Sequence, residues 1–204
     1  MIFPTKCVAD TRSKLIQAGR EVFLENGYRA SMASIACRAG VAKQTLYNHF
    51  PTKDELFHEI ARGFSDALGS TLKIDHTDLR QSLRSFGTEF WAKCMSSVGL
   101  SMFRVLINEA PKNPAFAKKF YETGFECAVG HLAEYFRTCM ECGAIPHGDA
   151  HQLAETFFSM LLGMEHIKRL CFKMEPDVSV QKRIDVVVDQ FLKLMEEEKS
   201  CAKS

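Results

Sequence analysis

The chain is predicted to be all-α, and three observations carry that expectation. Strand-like alternation of apolar and polar residues is almost absent, whereas apolar spacings near 3.6 residues recur from end to end. Helix-starting residues such as Ser31 and Thr52 stand just before these periodic runs. Helix-ending signals, Asn26-Gly27, Gly143 and the Pro111/Pro114 pair, stand just after or between them. About nine helices result.

Leu15, Ile16, Ala18, Gly19, Val22 and Phe23 give the first helix, over about 10–25. Ser31 caps a second over 32–39, and a third runs over about 42–49. Thr52 caps a fourth, whose opening Lys53-Asp54-Glu55 puts acids where the helix dipole favours them; it runs to about 73. The loop Ile74-Asp75-His76-Thr77-Asp78 follows. Helices are then expected at 78–97, 99–110 and 114–142, and two more at 149–172 and 178–198 about a break at Glu175-Pro176-Asp177.

With 204 residues, 46% apolar and 25% charged, the chain suits one or two globular domains. Its net charge of +1 excludes a polycation that coats nucleic acid indiscriminately. The charge is unevenly spread. Residues 1–57 hold eight Lys/Arg (Lys6, Arg12, Lys14, Arg20, Arg29, Arg38, Lys43, Lys53) against five acids (Asp10, Glu21, Glu25, Asp54, Glu55), a local +3 that leaves −2 for the rest. No apolar run reaches the roughly 18–20 residues that span a bilayer. The opening Met-Ile-Phe-Pro-Thr-Lys lacks the order of a secretory leader, so a cytoplasmic location and reduced thiols for the eight Cys are expected.

Ala39-Gly40-Val41 joins two short helical patterns, with glycine where a sharp turn needs a backbone free of Cβ strain. The second pattern sets Lys43, Gln44, Thr45, Tyr47, Asn48 and His49 around a sparse stripe of Val41, Leu46 and Phe50. A helix that buries so little is built to press against a polar surface. This is the composition of a helix-turn-helix recognition element for a DNA major groove.

These residues also resemble a known family. Phe23, Gly27-Tyr28, Ile35-Ala36, Ala39-Gly40-Val41, Lys43, Thr45-Leu46-Tyr47, His49-Phe50, Lys53 and Leu56 look like the amino-terminal domain of TetR/AcrR repressors, over about the first 60 residues. The resemblance implies a helix-turn-helix domain at 1–52 and a helical ligand-sensing and dimerisation domain at 53–204. The implied activity is that of a ligand-released dimeric repressor on an inverted-repeat DNA operator, with no cofactor and no membrane partner.

Lys43 suits a phosphate or guanine edge, and Gln44 suits bidentate pairing with adenine. Thr45 offers a methyl to thymine or a hydroxyl to phosphate, and Asn48 adds a further amide to the same surface. Tyr47 and His49, by the family pattern, set polar tips against the DNA backbone, yet both would serve equally as packing residues. Lys53 at a helix start suits a phosphate. Ser31 and Ser34 would brace the other side of the groove.

One such head contacts few base pairs, so a homodimer is expected. The stripe Ile184, Val187, Val188, Phe191 and Met195, with Phe157 and Leu161 of the preceding helix, is the candidate dimer interface, and the resemblance implies a four-helix bundle there. Gly163 would permit close helix approach. The resemblance also implies a cavity for a small apolar effector, for which Phe86, Glu89, Phe90, Phe103, Leu106, Phe120, Phe125 and His131 are candidates. Asn108 and Glu165 are further anchors if they face inward. The same aromatic residues also read as ordinary core.

Cys139-Met-Glu-Cys142 with His147 and His151 has ligand types zinc accepts, although the middle gap is short for a zinc finger. A thiol- or metal-responsive regulator using Cys139/Cys142 is the alternative to the small-molecule reading. Catalysis is not expected: no Gly-x-Ser-x-Gly elbow, phosphate-binding glycine loop or His-Glu-x-x-His pair occurs.

Overall fold

The computed structural model describes residues 5–69, 72, 78–172 and 180–201. The loop expected at 74–77 and the break expected at 175–177 lie outside them. The described chain is all-α, as the periodicity predicts. Its helices are α1 (Thr5–Asn26), α2 (Met32–Arg38), α3 (Lys43–His49), α4 (Lys53–Gly69), α5 (Leu79–Met95), α6 (Ser97–Glu109), α7 (Pro114–Tyr121), α8 (Cys127–Glu141), α9 (Ala150–Cys171) and α10 (Val180–Cys201). The single helix expected over 114–142 is α7 and α8 joined by a π turn at Glu122–Glu126. Counted as one element, they bring the total among the described residues to nine.

Side-chain caps set most starts. The hydroxyl of Ser31 accepts from the Ser34 amide, Thr52 from Glu55, and Asn113 from Phe116. Asp78 accepts from Gln81 and Asp149 from His151 and Gln152. Each satisfies an amide that a helix start would otherwise leave orphaned.

The chain divides into two compact units. The first comprises Met1–Phe64 with Ser96–Gly124, the second Ser65–Met95 with Phe125–Ser204. This grouping differs from a division after residue 52: α4 contributes to both units, and α6 and α7 belong with the amino-terminal helices. The reason is aromatic packing. Phe57 of α4 meets Phe116 and Phe120 of α7 at 5.4 and 5.5 Å between ring centres, and Phe23 of α1 edge-on at 5.1 Å. Such pairs add about 0.5–1.5 kcal/mol each beyond their area.

The second unit packs α5, α8, α9 and α10 around Phe86, Phe90, Phe136, Phe157, Phe158 and Phe191. Gly87 of α5 lets the helices close up: a Cβ there would lie 3.3 Å from Leu161 and 3.4 Å from Ile184. Arg84 pairs with Asp185 at 2.6 Å, and Arg80 with Asp189, tying α5 to α10.

This packing corrects the expected dimer interface. Phe157, Leu161, Ile184, Val187, Val188, Phe191 and Met195 are all buried within the unit's own core. The apolar stripe is real, but α5 and α8 already cover it. The outward apolar residues of α9 and α10 are Met164, Ile167, Val186 and Leu194. Gly163 also plays a different part from the one expected. At φ 45°, ψ −152° it breaks α9 instead of easing a helix crossing.

In the first unit, a ring nitrogen of His58 lies 3.2 Å from the Phe116 carbonyl and its ring stacks on Phe116. Burial lowers its pKa, outweighing the opposite pull of that hydrogen bond. A base that is harder to protonate when folded favours the folded state above its unfolded pKa of about 6.5 and loses that contribution as pH falls. Buried His166 has the same sign, whereas His151, raised by Glu126, has the opposite one. The urea midpoint should therefore fall from pH 7.5 to 5.5 (both about one unit from that value), and fall less in His58→Gln. Equal slopes would assign the acid sensitivity elsewhere.

Candidate nucleic-acid interface

The turn between α2 and α3 is closed by three backbone bonds. The amide of Ala39 donates to Ile35 O at 2.9 Å, that of Gly40 to Cys37 O at 3.1 Å, and that of Val41 to Ala36 O at 3.0 Å. Gly40 has φ +68° and open space where a Cβ would stand, so its need for glycine is conformational, not steric. The turn sets α3 down on Leu46, which is fully buried, and on Phe50 just after it.

Leu46 is the only buried residue within α3. Lys43, Gln44, Tyr47 and Asn48 are exposed, and Thr45 and His49 half-buried. The Gln44 amide donates to Asn48 Oδ1 at 3.0 Å, one helical turn on, and Lys43 Nζ lies 5.6 Å from the Tyr47 ring centre. These contacts order a row of polar groups along one face. Ser31 and Ser34 are exposed at the start of α2 and bonded to each other: Ser34 Oγ donates to Ser31 O at 2.7 Å. Their first task is capping, and an exposed hydroxyl surface is what remains for a partner.

Lys53 stands apart from the group with which it was expected to act. Its ammonium donates to Tyr28 O at 2.6 Å and Ala30 O at 3.4 Å, and lies 4.0 Å from the Tyr28 ring centre. The Tyr28 hydroxyl in turn donates to Asp54. Burial, then Asp54, raises the Tyr28 pKa, so the hydroxyl keeps its proton. In this structure Lys53 braces the turn that leads into α2. The charge count alone hides that, because it treats every cation as available.

The other head cations are similarly engaged. Arg38 pairs with Glu25 at 2.8 Å and Glu21 at 3.4 Å, and Arg12 with Glu59 at 2.6 Å. Arg20 lies over the Phe64 ring, 5.2 Å from its centre. Among the described residues of the head, Lys43 and Arg29 are the exposed cations with no carboxylate partner. Arg29 is exposed in the 3-10 turn before Ser31. Sequence reasoning counted its charge but passed over it as a site. Its position two residues before a capping serine was the available signal.

The candidate effector residues divide between the two units. Phe103, Leu106 and Phe120 belong to the first unit, and Phe86, Glu89, Phe90, Phe125 and His131 to the second. Phe86 and Phe90 are packed solid: Phe90 meets Phe158 at 4.4 Å edge to face. Phe120 is held against Phe57. Phe103, Leu106, Phe125 and His131 are half-buried, and Glu89 pairs with Lys93 at 2.9 Å with much of its side chain in solvent. Asn108 is exposed, and Glu165 is taken up by Arg169 at 3.0 Å.

The thiol alternative also loses its geometry. Cys139 is fully buried, and burial raises its pKa; Cys142 is exposed with its thiol donating to Cys139 O. His147 is exposed, and His151 is bound to Glu126 at 2.8 Å. The helix end pulls Cys139 into the core and turns Cys142 out, so these four do not converge as metal ligands.

Comparison with known proteins agrees with the all-helical architecture and the head. Residues 15–60 match the family model for bacterial regulatory proteins of the tetR family, and residues 81–196 match that for the carboxy-terminal domain of AefR-like transcriptional repressors. The HTH-type transcriptional regulator YvkB of Bacillus subtilis is 25% identical over 162 residues, 75% of this chain and 80% of that protein. Among solved structures, a TetR-family regulator from Mesorhizobium loti superposes with a TM-score of 0.79 at 27% identity, covering 92% of this chain and 97% of its own. The flavonoid-responsive regulator FrrA does so with 0.68 at 26%, covering 91% and 97%. No single helix among the described residues is long and apolar enough to cross a membrane.

Gly40→Ala should destabilise the protein by about 1 kcal/mol or more, the usual cost of a Cβ in the left-handed region. Gly148→Ala, where neither φ nor space resists a Cβ, should be close to neutral in the same urea titration.

Proposed function

Because the chain belongs to the TetR family of helix-turn-helix transcriptional regulators, we propose that it is a dimeric repressor whose α3 reads an inverted-repeat operator and whose grip a small apolar effector releases. One observation carries the DNA-reading part. A seven-residue helix buries Leu46 alone and leaves Lys43, Gln44, Tyr47 and Asn48 exposed on a turn fixed by Gly40.

In that reading Gln44 is the base reader, its amide plane steadied by Asn48, with donor and acceptor presented together as adenine requires. Lys43 approaches a guanine edge or a phosphate. Thr45, Tyr47 and His49 on α3, with Arg29, Ser31 and Ser34 around the start of α2, meet the sugar-phosphate backbone and set register. Lys53 acts at one remove, by holding the Tyr28–Ala30 backbone from which Ser31 follows. The place of action is the cytoplasm, where operator DNA lies, and the function is binding rather than catalysis.

Dimerisation supplies the second half-site. The proposed face is the outer side of α9 and α10. There Met160 shares a depression with Val186 and Gln190, and Leu153 and Thr156 share another with Leu194. Val186 and Leu194 are each 47% exposed and lie two turns apart on one face of α10. For the effector, support comes from FrrA, a flavonoid-responsive protein of the same fold, and from the AefR-like match over the helical body.

Selection of bound DNA from a random library by reduced protein tests the reading. An inverted repeat is expected from the wild type and not from Lys43→Ala/Tyr47→Ala. Gln44→Ala should lose about 1–3 kcal/mol of discrimination at one position per half-site. Lys43→Ala should lower the salt slope by about one. Uniform loss across all sequences for Gln44→Ala would end its base-reading role. Val186→Arg with Leu194→Arg should yield folded monomers in sedimentation. A dimer that survives both would move the interface off this face.

A further inference from the structure

The second unit holds a cluster that the DNA-binding head does not use and of which only His131 figures among the candidate effector residues. Asp66 on the last turns of α4 and Cys127 and His131 on α8 bring one ligand atom each to within 4.8 Å of one another. They are the one such group of His, Cys, Asp and Glu among the described residues. Cys127 and His131 are four residues apart on one helix and so share a face. Their Sγ and Nε2 atoms are 3.6 Å apart.

That separation is informative. Zinc bonds of about 2.3 Å to sulfur and about 2.0–2.1 Å to an imidazole nitrogen, opened to the tetrahedral angle, hold the two ligand atoms about 3.6 Å apart. The pair on α8 already has this spacing, and Asp66 closes a third corner from the other helix. A second observation bears on His131. Its ring lies against Gly69, where a Cβ would come within 3.0 Å of two ring atoms. Glycine at that place, one turn after Asp66, lets the imidazole seat beside the end of α4.

We propose that Asp66, Cys127 and His131 form a binding site for a divalent transition metal of zinc type, with one coordination position open to solvent. One thiolate, one imidazole and one carboxylate suit zinc and its borderline neighbours and are a poor set for magnesium or calcium, which take oxygens alone. Three protein ligands with Asp66 exposed leave the fourth position to water or a small anion. In the metal-free chain, Cys127 and His131 are within reach of a weak S–H···N hydrogen bond. On binding, the thiol proton leaves to water, the sulfur lone pair makes the metal bond, and the imidazole stays neutral. Affinity therefore falls as pH falls. Occupancy would tie the last turns of α4 to α8 within this unit. The site is separate from Cys139/Cys142, and its existence does not depend on how the head binds DNA.

Cobalt(II) is the probe. Reduced, metal-free protein titrated with Co²⁺ should saturate at one ion per chain, with d–d bands of tetrahedral intensity and a thiolate-to-cobalt charge-transfer band. Zn²⁺ should then bleach both. Cys142→Ser, which removes an exposed thiol elsewhere, should leave the spectrum intact, and Cys127→Ser should abolish the charge-transfer band. His131→Gln and Asp66→Asn, with the far-ultraviolet circular dichroism of the wild type, should each weaken Co²⁺ binding by more than the roughly 10-fold that an outer-shell partner alone is worth. A charge-transfer band that survives Cys127→Ser, or wild type that gives none, overturns the site.

Discussion

A helix of seven residues does not hold itself together in water, because the cost of nucleating it exceeds what so few hydrogen bonds return. Everything α3 presents to a partner therefore depends on the burial of Leu46 and Phe50 beneath it and on the backbone turn at Gly40 before it. Leu46 is the pin, and the polar residues around it are free to be chosen for what they touch. That division leaves the exposed face of α3 to contacts such as that of Gln44 with Asn48.

The pin needs a rigid base. It is supplied by Leu15, Phe23, Ile35, Leu56 and Phe57, with Phe116 and Phe120 reaching the same core from α7. Lys53 and Tyr28 finish this base on its polar side. The ammonium caps two carbonyls and the ring shields it, while Asp54 accepts the phenol's hydrogen bond. A cation used in this way gains more from being held than from being free.

Much of this was legible in the sequence. Helix limits follow from Ser31, Thr52, Gly143 and the Pro111/Pro114 pair, because capping and backbone restriction are local. The polar face of α3 follows from period alone. Other features depend on partners distant in the chain. The stripe through Ile184, Val188 and Phe191 tells which side of α10 is apolar but not what covers it, and α5 and α8 prove to be the answer. Phe86 and Phe120 look alike in sequence yet pack in different cores. Asp66 meets His131 only through tertiary folding, whereas Cys139 and Cys142, close in sequence, are separated by the end of α8. Lys53 illustrates the same limit for charge: its sign is in the sequence, its engagement is not.

The first unit's core is assembled from two stretches that leave the ribosome at different times. Phe57 is synthesised early, but Phe116 and Phe120 follow only after the intervening helix α5 has been made. At roughly 5–20 residues per second, the 60 or so residues between 64 and 124 take about 3–12 s. For that interval a nascent head carries Phe23, Phe57 and Tyr28 without their α7 partners, and aromatic surface that the finished core covers is open to water. The reading head therefore acquires its final rigidity late in translation, although its sequence comes first.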